Sequence, residues 1–271
     1  MKIAFIGGGN MATALIGGLL SSTNSTHTIQ VVDPEPGVKE RLEKQWPVKC
    51  FEQTGAAIKG MDAVVLAVKP QVLPAVLQQI SQLLNPGQLV ISIVAGIPIS
   101  QILAQLDGSP PVIRTMPNTP ALIGRGITGL YAQENCSIEQ RDCAQQLMQA
   151  AGEVVWLEDE NLLDVVTAVS GSGPAYIYYL IEAMRSAGTR LGLPAKVAAK
   201  LALQTAYGAS TMAVQSDMDV EELRQRVTSK GGTTQAALEQ LEAGRFESLV
   251  YSAIQAATQR GQELASTRTP K

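Results

Sequence analysis

Two short glycine-rich stretches hold the residue types best suited to chemistry. "IGGGNMA" sets Gly7, Gly9 and Ala12 at G-x-G-x-x-A spacing, and "SKGGTT" sets Gly231, Gly232, Thr233 and Thr234 ahead of an amphipathic run. The first turn of a helix exposes backbone N–H groups without internal partners, and the helix dipole favours negative charge there. The early stretch suits a pyrophosphate: Gly7 makes the tight turn, Gly9 lets the backbone approach the phosphates, and Ala12 allows close helix–sheet packing. The late stretch suits a smaller anion, such as a carboxylate, beside a threonine hydroxyl. A glycine loop followed by a threonine N-cap would be spelled the same way.

Other candidate residues fall at the ends of apolar runs. Asp33, in "IQVVDPEP", stands where a dinucleotide fold places an acid to accept hydrogen bonds from an adenosine ribose. A carboxylate there repels a 2′-phosphate, Glu35 adds a second negative group and no Arg follows closely, so the local reading favours NADH over NADPH. "AVKPQ" and "IVAGI" put Val68, Lys69, Pro70 and Ala95 on loops that line a ligand crevice, and "RTMPNTPA" belongs to the same rim. Pro and Gly are also ordinary strand terminators. With Gly7, Gly9, Asn10, Met11, Ala12 and Asp33, these residues form the expected cofactor set.

These residues need a scaffold to position them. Ile3–Ile6, Ile29–Val32, Ala63–Val68, Leu89–Val94 and Val112–Met116 are short, nearly continuous apolar runs, the pattern of strands covered on both faces. Helix-like stretches alternate with them, at Met11–Leu20, Val38–Gln45, Val72–Leu84 and Ile99–Leu106. Ile127–Tyr131 and Val154–Leu157 bracket a further helix over Ile138–Ala150. This alternation predicts a doubly wound α/β domain over residues 1–158. Residues 159–271 read as all-helical, with helices over Ala195–Gln215, Val220–Val227, Gln235–Glu242 and Glu247–Leu264. Asp219 and Glu222 have the spacing of a capping box, and Gly244 sits where a helix end favours a left-handed residue. "AMRSAGTRLG" and "LALQTAYGAS" are rich in small residues that let helices approach, within one chain or against a second copy. Only Ser266–Lys271 reads as a frayed tail.

Composition narrows the function classes. The chain has 271 residues, 45% hydrophobic and 17% charged, enough apolar material for a true core. A net charge of −3 without any basic run argues against a nucleic-acid partner. No signal peptide or membrane span is expected from "MKIAFIGGGN" or the later strand-sized apolar runs. Cys50, Cys136 and Cys143 follow no disulfide or zinc spacing, which suits packing residues in a reducing cytoplasm. The lone His27 leaves almost no material for a histidine-based hydrolase, and no metal site is expected.

Read in order, "GGGNMA", "AVKP", "MPNTP", "SGSGPAY" and "SKGGTT" resemble the Δ1-pyrroline-5-carboxylate reductase family over nearly the whole chain. The resemblance implies an N-terminal Rossmann-like domain that binds NADPH or NADH, and an all-α C-terminal domain that forms an intertwined dimer, often assembled further. It implies an active site between the cofactor domain and helical-domain residues, with the partner subunit contributing. The substrate, 1-pyrroline-5-carboxylate, would place its carboxylate on the backbone at Gly231, Gly232 and Thr233. Thr234 would contact the ring nitrogen, and Glu160 matches a position near the ligand. A threonine hydroxyl is too weak an acid to drive protonation, so its role is orientation, leaving the proton to solvent or to an already protonated imine. "SGSGPAY" serves either as hinge or as site wall. Two positions depart from the family: Lys230 replaces a frequent Pro, and Asp33 replaces the Ser or Thr of many NADPH users. β-Hydroxyacid dehydrogenases share the loop and a helical second domain but need a catalytic lysine, and none occurs between Glu160 and Ala195. A non-catalytic dinucleotide sensor would need only the first loop.

Overall fold

The computed structural model describes residues 1–21, 26–85 and 87–266. The expected tail from residue 267 lies outside the described residues. Eight strands form one sheet: β1 (Lys2–Ile6), β2 (Thr28–Val32), β3 (Lys49–Phe51), β4 (Ala63–Leu66), β5 (Leu89–Ser92), β6 (Val112–Met116), β7 (Gly126–Ala132) and β8 (Gly152–Trp156). Their order is β3-β2-β1-β4-β5-β6-β7-β8. Every pairing is parallel except β6 with β7.

The apolar runs are unbroken because both faces of the sheet are covered. Ile3 and Phe5 of β1 pack on one face with Leu15 and Ile16 of α1 (Asn10–Leu20), while Ala4 and Ile6 pack on the other with Leu73 and Leu77 of α4 (Leu73–Ile80). All of these are buried, and a large apolar side chain contributes roughly 1.5–3 kcal/mol when fully buried. The remaining α-helices up to β8 are α2 (Pro36–Gln45) and α6 (Ile138–Gln149), which join the face of α1, and α3 (Thr54–Ile58) and α5 (Ile99–Leu103), which join the face of α4. Strand β3 and helix α3 were not expected, because three and five residues are too few for a period to emerge. Helix α5 is shorter than the expected Ile99–Leu106.

Beyond β8 come α7 (Leu162–Val166), α8 (Gly173–Arg190), α9 (Ala195–Gln215), α10 (Val220–Arg226), α11 (Thr233–Ala243) and α12 (Phe246–Ser266). Two compact units result: Met1–Ser172 together with the chain from Ala257 onward, and Gly173–Ala256. The sequence had suggested a division after residue 158. The difference has local causes: Val166 of α7 packs under Gly129 of β7, Arg114 of β6 pairs with Asp164 of α7, and Gln101 Nε2 donates to the Ala265 carbonyl.

The helical unit is held by close backbone approach. A Cβ on Gly188 of α8 would lie 3.4 Å from Ala198 Cβ of α9, the small-residue packing its sequence suggested. Two local expectations fail in this unit. Asp219 is the N-cap of α10, but its side chain makes no capping bond and Glu222 pairs instead with Arg226 at 3.0 Å, one turn on. After α11 the left-handed residue is Arg245, at φ 54°, while Gly244 keeps φ −74°.

Candidate active site

The strand order reverses between β1 and β4, and ligands of open α/β sheets bind in the crevice at such a point, beyond the carboxyl ends of the strands. Gly7 ends β1 there. Its φ is +105°, and a Cβ would lie 2.5 Å from the carbonyl oxygen of Ala67, at the end of β4. Any side chain would push the two strand ends apart. Gly8, an unspecified position in the motif, is equally constrained: a Cβ would lie 2.4 Å from Val38 Cγ1 and 3.0 Å from Leu42 Cδ1, both on α2. Over Gly9 the space is open. Gly9 is the N-cap of α1, no side chain caps the helix, and no acidic residue occupies its first turn. Exposed Asn10, half-buried Met11 and buried Ala12 follow. This cradle fits a dinucleotide pyrophosphate.

Asp33 faces the same loop. Its Oδ2 accepts from Gly8 N at 2.8 Å and its Oδ1 from Glu35 N at 3.0 Å, so the chain itself orients the carboxylate. Arg41 of α2, which the sequence reading did not connect with this loop, donates from Nη2 to the Gly8 carbonyl at 2.8 Å and lies 3.5 Å from Thr13 Oγ1. Seven residues of chain separate it from Asp33, and only the turn into α2 brings it back. Val68, Lys69 and Pro70 follow β4, and Ala95 follows β5; Lys69 and Ala95 are exposed on those loops.

The "MPNTP" and "SGSGPAY" segments meet. Asn118 donates from Nδ2 to the Ser170 carbonyl at 3.1 Å, and Met116 Cε lies 2.9 Å from where a Cβ of Gly171 would stand. Around Ser170 the chain takes a π turn, Thr167–Gly171, in which Ser172 N donates to Thr167 O at 2.8 Å. Such turns recur at functional sites. Glu160, expected near the ligand, is held by protein groups: its Oε1 accepts from Ile99 N at 2.7 Å and from Arg114 Nη1 at 3.2 Å. Arg114 also reaches Asp164 Oδ1 at 3.4 Å and is itself only 5% exposed.

The "SKGGTT" corner lies in the helical unit, at the mouth of α11. Gly231 has φ +72°, and Gly232 is the N-cap. The sequence reading offered the N–H groups of Gly231, Gly232 and Thr233 to a carboxylate. In the structure Gly231 N donates to Gln235 Oε1 at 2.7 Å, and Gly232 N to Ser229 O at 3.0 Å. The open donors are therefore those of the first turn, beginning with Thr233 and Thr234. No side chain caps α11 and no acid occupies its first turn, so the dipole end is unscreened.

His27 lies away from the crevice, its Nδ1 3.4 Å from the Met1 amine at the other end of β1 from Gly7. Burial, and then that amine, hold its imidazole below the ordinary value. Among the described residues no cluster of three or more His, Cys, Asp or Glu could hold a metal ion, and no helix is long and apolar enough to cross a membrane.

Known proteins resemble this chain in sequence and fold. Residues 160–264 match the family model "Pyrroline-5-carboxylate reductase dimerisation", and residues 2–96 match "NADP oxidoreductase coenzyme F420-dependent". The chain is 47% identical to pyrroline-5-carboxylate reductase of Pseudomonas aeruginosa over 97% of both chains. The solved pyrroline-5-carboxylate reductase of Coxiella burnetii superposes with a TM-score of 0.93 at 36% identity, over 97% of this chain and 98% of that one. The Plasmodium falciparum pyrroline carboxylate reductase, solved with NADP bound, gives 0.83 at 28% identity over 98% of each. On these grounds the chain belongs to the pyrroline-5-carboxylate reductase family.

Proposed function

We propose that this chain reduces the C=N bond of 1-pyrroline-5-carboxylate to give L-proline, the last step of proline biosynthesis, with NADPH or NADH as reductant. What carries the reading is the presence, in a member of this family, of two anion-ready helix mouths: an open pyrophosphate cradle at Gly9 and an uncapped carboxylate-sized corner at Thr233. Gly7, Gly9, Asn10, Met11, Ala12 and Asp33 would hold the dinucleotide, with Val68, Lys69, Pro70 and Ala95 along the rim. A reduced nicotinamide, once bound, supplies the hydride for the imine carbon.

The protein's task is then chiefly positioning. The Thr233 and Thr234 N–H groups receive the substrate carboxylate, Gly231 and Gly232 give the corner its shape, and the Thr234 hydroxyl orients the ring nitrogen. Holding the reacting carbons at a near-attack separation of about 3–3.5 Å removes much of the entropic barrier. A protonated ring nitrogen eases the transfer, since the arriving electron pair neutralises an iminium. Glu160, fixed by Arg114 and Ile99, serves the site by holding α5 and β6 in place as well as by any contact with ligand.

The functional form is a homodimer or an assembly of dimers. In the helical unit only Ala198 and Ala202 are buried, whereas Tyr178, Tyr179, Leu203, Tyr207, Leu249 and Tyr251 are all more than half exposed. An apolar surface of this kind calls for a second copy. The free thiols of Cys50, Cys136 and Cys143 support a reducing, cytoplasmic setting. Steady-state oxidation of NADPH and of NADH by pyrroline-5-carboxylate, with proline identified as product, tests the reading; no oxidation of either cofactor would defeat it.

A further inference from the structure

Asp33 alone argues for NADH, yet the structure sets a cation against the same glycine. We propose that Arg41 is the residue through which this chain recognises a 2′-phosphate, so that NADPH is accepted in spite of Asp33; this rests on the dinucleotide reading of the Gly7–Ala12 loop.

Gly8 is gripped at both of its polar groups. Its N–H donates to Asp33 Oδ2 and its carbonyl accepts from Arg41 Nη2, each at 2.8 Å. The absence of a side chain at Gly8 is what allows this, because Val38 and Leu42 bring α2 directly onto the glycine and carry Arg41 with it. Asp33 spends one acceptor site of each oxygen on backbone N–H groups and retains others for a ribose hydroxyl. Arg41 has five N–H donors and directs Nη2 at Gly8 and Thr13. Among the described residues no carboxylate lies within ion-pair distance of its guanidinium, and the side chain is exposed. An unneutralised guanidinium at the rim of a phosphate-binding loop, bonded to the same glycine as the acid that takes the ribose, is suited to bidentate phosphate recognition.

The two side chains then divide the labour. A 2′-hydroxyl donates to Asp33, whereas a 2′-phosphate cannot donate once ionised and meets repulsion from Asp33 that Arg41 offsets. Discrimination between the cofactors is the difference of these opposed terms, and both are built on one glycine.

Titration calorimetry with two fragments, 2′,5′-ADP and 5′-ADP, separates this from a role as loop latch. Arg41→Ala is expected to weaken 2′,5′-ADP about tenfold or more while changing 5′-ADP by less than about threefold. Arg41→Gln keeps an N–H donor for the Gly8 carbonyl but removes the charge, and should weaken 2′,5′-ADP selectively as well. Arg41→Lys should fall between the parent and Arg41→Ala, and KM for NADPH, not NADH, should follow the same order. Equal weakening of both fragments in Arg41→Ala, or parent-like binding of 2′,5′-ADP by Arg41→Gln, would overturn the assignment. Failure of the parent to bind either fragment would overturn the dinucleotide reading along with it, which marks that failure apart. Melting curves of each variant confirm that the chain tested is folded.

Discussion

Asn118 and Ser170, 52 residues apart in sequence, are joined by one amide: Asn118 Nδ2 donates to the Ser170 carbonyl at 3.1 Å while its Oδ1 accepts from Ile127 N at 2.9 Å. Asn118 is 9% exposed and both bonds are partly buried, so water replaces the amide poorly. Two segments that looked like separate rim and hinge elements are thus one hydrogen-bonded junction, and Asn118 acts there as a clamp.

Replacing that amide tests the clamp. Asn118→Ala leaves Ile127 N–H and the Ser170 carbonyl without their partner and is expected to cost about 1–3 kcal/mol of stability, read from urea unfolding. Asn118→Asp keeps the acceptor but loses the donor, so it should fall between. An alanine variant as stable as the parent would show that other contacts hold the junction.

Among the described residues Arg114 is the buried cation, and it balances both Glu160 and Asp164. Arg114→Met strands two carboxylates and should destabilise the chain by about 3–5 kcal/mol. Combining it with Glu160→Gln and Asp164→Asn removes the stranded charge and should restore most of the loss. A triple variant no more stable than the single one would point to packing, and not charge balance, as the reason for Arg114.

At the α11 mouth, Thr234→Ala removes the hydroxyl proposed to orient the ring nitrogen. Turnover should fall by about tenfold or more, while nucleotide affinity, governed by residues of the other unit, stays near the parent value. Parallel kcat and nucleotide-binding measurements check this. Unchanged turnover would remove Thr234 from the mechanism.

Cys50 offers a pH test of the core. Burial, and then the Glu43 carboxylate, push its thiol up to about 11. Between the ordinary thiol range and that value, the unfolded chain releases the proton and the folded chain keeps it, so this contribution to stability is intact at lower pH and is lost as pH rises through about 11. Unfolding free energies measured across that window should fall less steeply for Cys50→Ala than for the parent. The folded parent should also leave Cys50 unmodified by a thiol reagent near pH 8, below even the ordinary thiol value. Rapid modification there would contradict its burial.

Much of the fold is legible in the sequence because it depends on local period. Val112–Met116 and Ala195–Gln215 form with the bounds their patterns give, since an unbroken apolar run or a repeat of small and apolar residues reports directly on the surface each element must bury. Gly7, Gly9 and Ala12 are legible for a related reason: a tight turn, an open approach and a close helix contact each demand a residue type. Short elements such as β3 escape because three residues cannot show a period. Caps at Asp219 and Gly244 misread because a capping residue has other partners to choose from, and Glu222 takes Arg226.

By itself, then, the chain's order of residues determined an α/β sheet unit, a helical unit and two glycine-rich helix mouths, all of which follow from patterns spanning a few neighbouring residues. Only the tertiary structure decided how particular polar groups are paired. It placed Arg41 on Gly8, committed Glu160 to Arg114 and Ile99, and left Thr233 and Thr234, in place of Gly231 and Gly232, with donors to offer. The reason is physical: a hydrogen bond needs its partners within about 3 Å, and for residues far apart in sequence that distance is set by how packed elements meet.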